Sequence, residues 1–293
     1  MQNDPKNRFS GVTKRNAKLL FIFPINQSQQ NPTLNFSPTR FTIGIHRVYL
    51  LFMLEVVDMV RSLSFSEYAT LERPTLNWLV PGILPKPGMV LLLGEPFAGK
   101  SFLALQLGLS LAQGGMFMHK RCAQSRVLYL QFDPSEMVWR DRILSIQQAG
   151  IKLDGPLFMT HPDDSPRSMN ILSSESQQFL AGSLMAARPD VVILDVLREI
   201  HSSDEQDSTQ MKAVGDAIMQ IFHGKTLVIL HHTRKFDSDK PIEVINSSRG
   251  SSYLTGKADA TWLIHQGKLH TVSRFDSPRT HQMKRLPCGL WDF

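Results

Sequence analysis

The sequence predicts an α/β fold: a mostly parallel sheet sandwiched by helices, with an antiparallel hairpin at its C-terminal edge. Three observations predict it. From residue 76 onward, short unbroken apolar runs of strand length alternate with longer segments whose apolar residues recur every three or four positions. Strands buried on both faces read as continuous apolar runs, and helices read as stripes. A glycine-rich turn, Gly94 to Gly99, joins the first of these runs to the first stripe, and two runs near the C-terminus are joined through Gln266-Gly267. Strands alternating with helices imply parallel pairing with crossovers on both faces.

Taken in order, Met89–Leu93 is a buried strand, and Ser101–Ala112 is a helix with Leu103, Leu107 and Leu111 on one face. Val127–Phe132 is the next strand, followed by a charged helix over Met137–Ala149 and a short strand over Leu157–Thr160. Ser176–Arg188 is a helix ended by Pro189, because proline cannot continue it. Val191–Leu194 is a strand. Thr209–Phe222 is an amphipathic helix with Met211, Val214, Ile218 and Ile221 on one side, and Thr226–Leu230 is a strand. Thr261–His265 and Leu269–Ser273 form the closing hairpin. The leucine stripes and the 13 methionines are expected in the core.

The composition fits this reading. With 293 residues and 42% hydrophobic side chains, the chain can bury a sizeable core, which excludes chain-long disorder, collagen-like repeats and a small stapled scaffold. Two cysteines, Cys122 and Cys288, make neither a disulfide framework nor a zinc cluster and read as reduced thiols of a cytoplasmic protein. The net charge of +6 is concentrated. Residues 1–52 carry seven basic side chains and one acid, so residues 53–293 are neutral overall. Any nucleic-acid surface on the main body must therefore come from local loops.

Residues 1–52, rich in Asn, Gln, Ser and Thr, lack a periodic apolar face. They read as a disordered or over-annotated extension, with Met53 or Met59 as the true start, or as a basic arm that binds DNA. Residues 53–75 form a lead-in segment and 76–293 the main domain. The longest apolar runs, Leu19–Ile25 and Val48–Leu54, fall far short of the ~20 residues a membrane helix needs.

The chemistry sits in Gly94-Glu95-Pro96-Phe97-Ala98-Gly99-Lys100-Ser101, a complete G-x-x-x-x-G-K-S pattern between a strand and a helix. Glycines let backbone N–H groups curl around phosphate oxygens, and the helix N-terminus adds partial positive charge. Lys100 is expected on the β- and γ-phosphates of ATP, Ser101 on Mg²⁺, and Phe102 at the edge of the same site. Val191-Val192-Ile193-Leu194-Asp195 delivers a carboxylate at a strand's C-terminal end, where Asp195 can hold the Mg²⁺ shell. The long separation of Ser101 from Asp195 leaves room for an intervening strand. It favours a RecA-like P-loop NTPase core over a small nucleotide kinase.

A narrower resemblance rests on Leu194-Asp195-Val196-Leu197-Arg198 with His201, on Leu230-His231-His232, on Ser248-Arg249-Gly250-Ser251-Ser252, and on Trp78-Leu79-Val80-Pro81-Gly82-Ile83-Leu84-Pro85. Together these resemble the RepA-type hexameric plasmid replicative helicases and the broader AAA family ATPases of mobile elements with a RecA/DnaB-like core. The resemblance covers about Leu76 to His265. It implies a ring-forming, Mg²⁺-dependent ATPase acting on single-stranded DNA as a helicase or replication protein. It also implies a water-activating carboxylate at Asp133, where the family usually has Glu, with Glu136 as a substitute. The competing reading of Asp133 is a helix cap.

By the same resemblance His232 senses the γ-phosphate, while His231 packs. Arg249 is the arginine finger that reaches the next subunit's nucleotide, against the alternative of a salt bridge within its own subunit. Arg198 is either a subunit contact or sheet-end packing. The stretch Thr233–Ser248 either lines a channel for a DNA strand or is a solvated loop. The alternative function is an ATP-gated DNA-binding or regulatory module with weak or no hydrolysis. A small-molecule kinase would leave the S-R-G-S segment unexplained.

Overall fold

The computed structural model describes residues 62–73, 75–132, 136–160, 164, 166, 168–234, 243–248 and 252–293. The reading of residues 1–52 lies outside these, as do the assignments to Asp133 and Arg249. The chain divides into two units after Glu72. In the first, helix α1 (Phe65–Ala69) starts on a capping box: Ser64 accepts from the Glu67 N–H, and the Glu67 carboxylate accepts from the Ser64 N–H at 2.8 Å. Phe65 and Tyr68 are exposed on it.

The second unit opens on a small hairpin, β1 (Asn77–Val80) and β2 (Leu84–Lys86), and continues into β3 (Met89–Gly94) and α2 (Lys100–Gln113). A two-residue pair, β4 (Met116–Phe117) and β5 (Lys120–Arg121), leads to β6 (Val127–Gln131), α3 (Glu136–Gln148) and β7 (Leu157–Met159). Then come α4 (Ser174–Ala187), β8 (Val191–Asp195), a 3-10 turn (Leu197–Ile200), α5 (Ser208–Ile221) and β9 (Thr226–His232). A second 3-10 turn (Ile245–Ser247) and α6 (Tyr253–Lys257) precede β10 (Ala260–His265), β11 (Lys268–Ser273) and β12 (Arg279–Gln282). The described chain ends on the pair β13 (Lys284–Arg285) and β14 (Trp291–Asp292).

The main sheet runs β12-β11-β10-β3-β9-β8-β6-β7. Its pairs from β10 to β7 are parallel, and β10-β11 and β11-β12 are antiparallel. The expected architecture is therefore present, with the closing hairpin extended by one strand, β12.

Strand pleating divides the core in two. On β3, Val90 and Leu92 pack on one face with α2 residues Leu103, Leu107 and Leu111 and α3 residues Trp139 and Ile146. Leu91 and Leu93 pack on the other with Leu180 of α4, Met211, Val214 and Ile218 of α5, and Leu254 of α6. Burial of each such side chain stabilises the fold by about 1.5–3 kcal/mol. Asp207 caps α5 through hydrogen bonds from the Thr209 and Gln210 N–H groups. Trp262 on β10 is fully buried and stacks with Phe117 at 6.1 Å. Trp262→Ala should cost about 3–5 kcal/mol, read as a lower midpoint in chemical denaturation. A shift under 1 kcal/mol would mean that this edge of the sheet is not cooperative with the rest.

The methionine expectation needs correction. Met116, Met137, Met185 and Met219 are exposed, because they fall on the solvent side of their elements, where an unbranched thioether is tolerated as readily as in a core. Both cysteines are buried and unpaired, and burial pushes the Cys122 thiol up to about 11. Among the described residues no helix is long and apolar enough to cross a membrane.

Candidate nucleotide site

The site lies at the C-terminal ends of β3, β9 and β8, where a parallel sheet gathers loop residues. The loop after β3 turns tightly. Ala98 N–H bonds the Glu95 carbonyl at 3.2 Å, Phe97 sits in the left-handed region at φ +63°, and Gly99 follows at φ +89°. Gly99 has a second reason to lack a side chain: a Cβ there would lie 2.5 Å from the Trp291 ring. Phe97 holds its ring out in solvent at the mouth of the cleft. Leu103 N–H closes the first turn of α2 on the Gly99 carbonyl. The N–H groups of Ser101 and Phe102 precede that bond and project from the helix start.

Lys100 is buried and donates from Nζ to the carbonyls of Gly94 at 2.9 Å and Glu95 at 3.0 Å. The same Nζ lies 3.4 Å from Nδ1 of His232. This approach follows from register, since Gly94 of β3 pairs with His232 of β9. Strand alternation sends the neighbouring His231 into the interior, where it is buried. Asp195 closes β8 and is also buried. Burial pushes its carboxyl up, while Tyr129, Ser101, Arg142 and Lys100 each pull it back down. Tyr129 Oη donates to Asp195 Oδ2 at 2.7 Å and lies 3.3 Å from the Ser101 carbonyl oxygen. Burial first, then the Asp195 charge, raises the Tyr129 phenol well above its ordinary value, so it stays a donor.

Lys100, His232 and Asp195 line one cleft of about 330 Å³ with Pro96, Phe97, Gly99, Ser101, Phe102, Arg142, Val196 and Arg285. Of the residues expected in the site, Pro96, Phe97, Gly99, Lys100, Ser101, Phe102, Asp195 and His232 thus converge. Glu136 stands elsewhere, exposed and paired with Arg140 one turn along α3. Arg198 donates to the Ser203 carbonyl at 3.2 Å within its own chain. His201 is buried, and burial lowers its pKa. Beyond His232 the chain is tied at its base: Thr233 bridges Ser248, and Arg234 N–H bonds the Ser247 carbonyl. The residue preceding Arg249 is thereby held one step from the end of β9.

Three participants escaped the sequence reading. Tyr129 carried a signal, a lone phenol in an aliphatic strand. Arg142 follows Trp139 by three residues, the spacing of one helix face. Arg285 belongs to a C-terminal segment with no periodic pattern.

A glycine-rich strand-to-helix loop with a buried lysine, a strand-end aspartate and a parallel sheet together define a RecA-like P-loop ATPase fold. Residues 56–238, more than half of the chain, match the AAA domain family AAA_25, and the chain belongs to that family. Comparison with curated proteins gave no match. Among solved structures, a KaiC-like protein from the hyperthermophilic archaeon Pyrococcus horikoshii is similar at 12% identity and a TM-score of 0.48, over 73% of this chain and 93% of that one.

Proposed function

We propose that this chain hydrolyses ATP in a Mg²⁺-dependent reaction and works as a ring-forming helicase or replication protein on single-stranded DNA. The observation that carries the nucleotide reading is the meeting of Lys100, His232 and Asp195 in one cleft at the start of α2. In this reading the loop N–H groups and Lys100 bind the phosphates, and His232, through its contact with Lys100, registers loss of the terminal one.

The donor set fits Mg²⁺. Ser101 and Asp195 offer hard oxygen ligands, and the described residues hold no cluster of three or more His, Cys, Asp or Glu that would cage a metal alone. Ser101 and Asp195 would hold the ion, which would supply charge neutralisation at the phosphate oxygens. The Tyr129 hydroxyl holds Asp195 in the lining of that cleft through one carboxylate oxygen, Oδ2.

The helicase step rests on the resemblance to RepA-type helicases. Asp133 is assigned as the group that activates water, and Arg249 as the finger supplied to the next subunit of a hexameric ring. The cytoplasm is the proposed location.

A strand-displacement assay beside ATPase assays with and without single-stranded DNA tests the function. Displacement that stops with Lys100→Ala supports it. DNA-stimulated turnover without displacement leaves a motor that does not unwind. DNA binding gated by ATP without turnover is the result expected of a regulatory module. The shared site has its own test. Asp133→Ala and Arg249→Ala should each be inactive, and mixing the two proteins should partly restore turnover by forming some interfaces with both groups intact. An Arg249→Ala protein with full activity alone excludes the finger.

A further inference from the structure

We infer that Arg285, on the C-terminal β13-β14 pair, is a nucleotide-binding residue of its own subunit, with its guanidinium on a phosphate of the bound nucleoside triphosphate. This deepens the nucleotide reading above and rests on it. The pair lies beyond the matched family segment, residues 56–238, yet it is fastened to the phosphate loop at several points. Trp291 donates from Nε1 to the Gly99 carbonyl at 3.3 Å. Its backbone N–H and carbonyl are both held by the Gln106 side chain, each at 2.8 Å. Gly289, at φ +90°, lies so close to Phe102 that a Cβ would fall 2.1 Å from the ring. Such contacts make the segment a fixed wall of the cleft.

That wall presents a cation. The Arg285 guanidinium carbon lies 4.7 Å from the Phe102 ring centroid and 6.0 Å from that of Trp291. Stacking on two rings restrains an otherwise exposed side chain and leaves its N–H edge available. From α3, Arg142 lies over the same Phe102 ring at 5.1 Å and over Trp139 at 5.0 Å. The Arg142 Nη1 atom is buried without a hydrogen-bond partner among the described residues.

Among the described residues, three cations, Lys100, Arg142 and Arg285, thus line this cleft together with the carboxylate of Asp195. Two guanidinium groups at a single ring repel each other, and an anion bound in the cleft would offset that repulsion. Ser101 and Phe102, whose N–H groups stand at the helix start, line the same cleft. The chemistry that satisfies all of them is a phosphate chain, whose charge and planar oxygen pairs suit guanidinium donors.

The test is binding of MgATP and of inorganic tripolyphosphate, which has no base, to the full chain and to Arg285→Ala, Arg285→Gln and Arg285→Lys. Because Arg285 is exposed, the melting temperatures should match wild type. Arg285→Ala and Arg285→Gln should each weaken both ligands about tenfold, and Arg285→Lys, which keeps the charge but loses the planar stacked fork, should recover only part of that loss. A loss confined to MgATP, with tripolyphosphate unaffected, would place Arg285 on the base and overturn the assignment. Lys100→Ala, run in parallel, separates the two readings. Binding lost there but unchanged in every Arg285 variant overturns the Arg285 assignment alone. Unchanged binding in Lys100→Ala overturns the nucleotide site and this assignment with it.

Discussion

Lys100→Ala is expected to weaken MgATP binding by at least about 100-fold, with the protein still folded. The Nζ already sits in the cleft, held by the Gly94 and Glu95 carbonyls and next to His232. Contacts from such an ammonium to two phosphate groups are each worth about 1.5–3 kcal/mol, and every 1.4 kcal/mol is about tenfold. The Ala variant removes the point charge while the helix N-terminus and loop N–H groups remain, so residual weak binding is the expected floor. Titration with a fluorescent ATP analogue, beside circular dichroism to confirm the fold, gives the answer. Affinity and turnover both unchanged would remove the basis for the whole site.

Asp195→Asn should separate binding from turnover. Its carboxylate is buried and held by Tyr129, whose hydroxyl can donate to an amide oxygen as well as to a carboxylate. The variant loses the negative charge that Mg²⁺ needs, so turnover should fall by at least about 100-fold. Nucleotide affinity, set largely by Lys100 and the loop, should change by about tenfold or less. A buried charge costs stability that an amide does not. The melting temperature without nucleotide should therefore stay level or rise. A large drop would mean that the Asp195 charge holds the fold through its neighbours.

The contrast between what the sequence tells and what it hides follows from physics that can be named. The β3-loop-α2 unit was legible because apolar periodicity changes from continuous to four-residue spacing across six residues rich in turn formers. The two histidines closing β9 were separated by the family resemblance of His232, and strand alternation gives the physical reason that His231 is buried while His232 faces Lys100. The Ser64-x-x-Glu67 capping box at α1 was equally readable and went unread. By contrast, β12 is a polar edge strand with mostly exposed residues, and β13 and β14 are two residues each. Such elements have no period to detect. Their place is set by tertiary contacts, above all Trp291 against Gly99 and Gly289 against Phe102. The same holds for Tyr129 and Asp195, whose meeting depends on the register of β6 against β8.

Phosphate release from MgATP by the full chain, followed with and without single-stranded DNA and with Lys100→Ala as the blank, addresses the central claim most directly. Mg²⁺-dependent release should accelerate when single-stranded DNA is added and vanish in the Lys100→Ala protein. Tight ATP binding with no release above that blank, with or without DNA, would contradict it and leave a nucleotide-gated binding module in place of a motor.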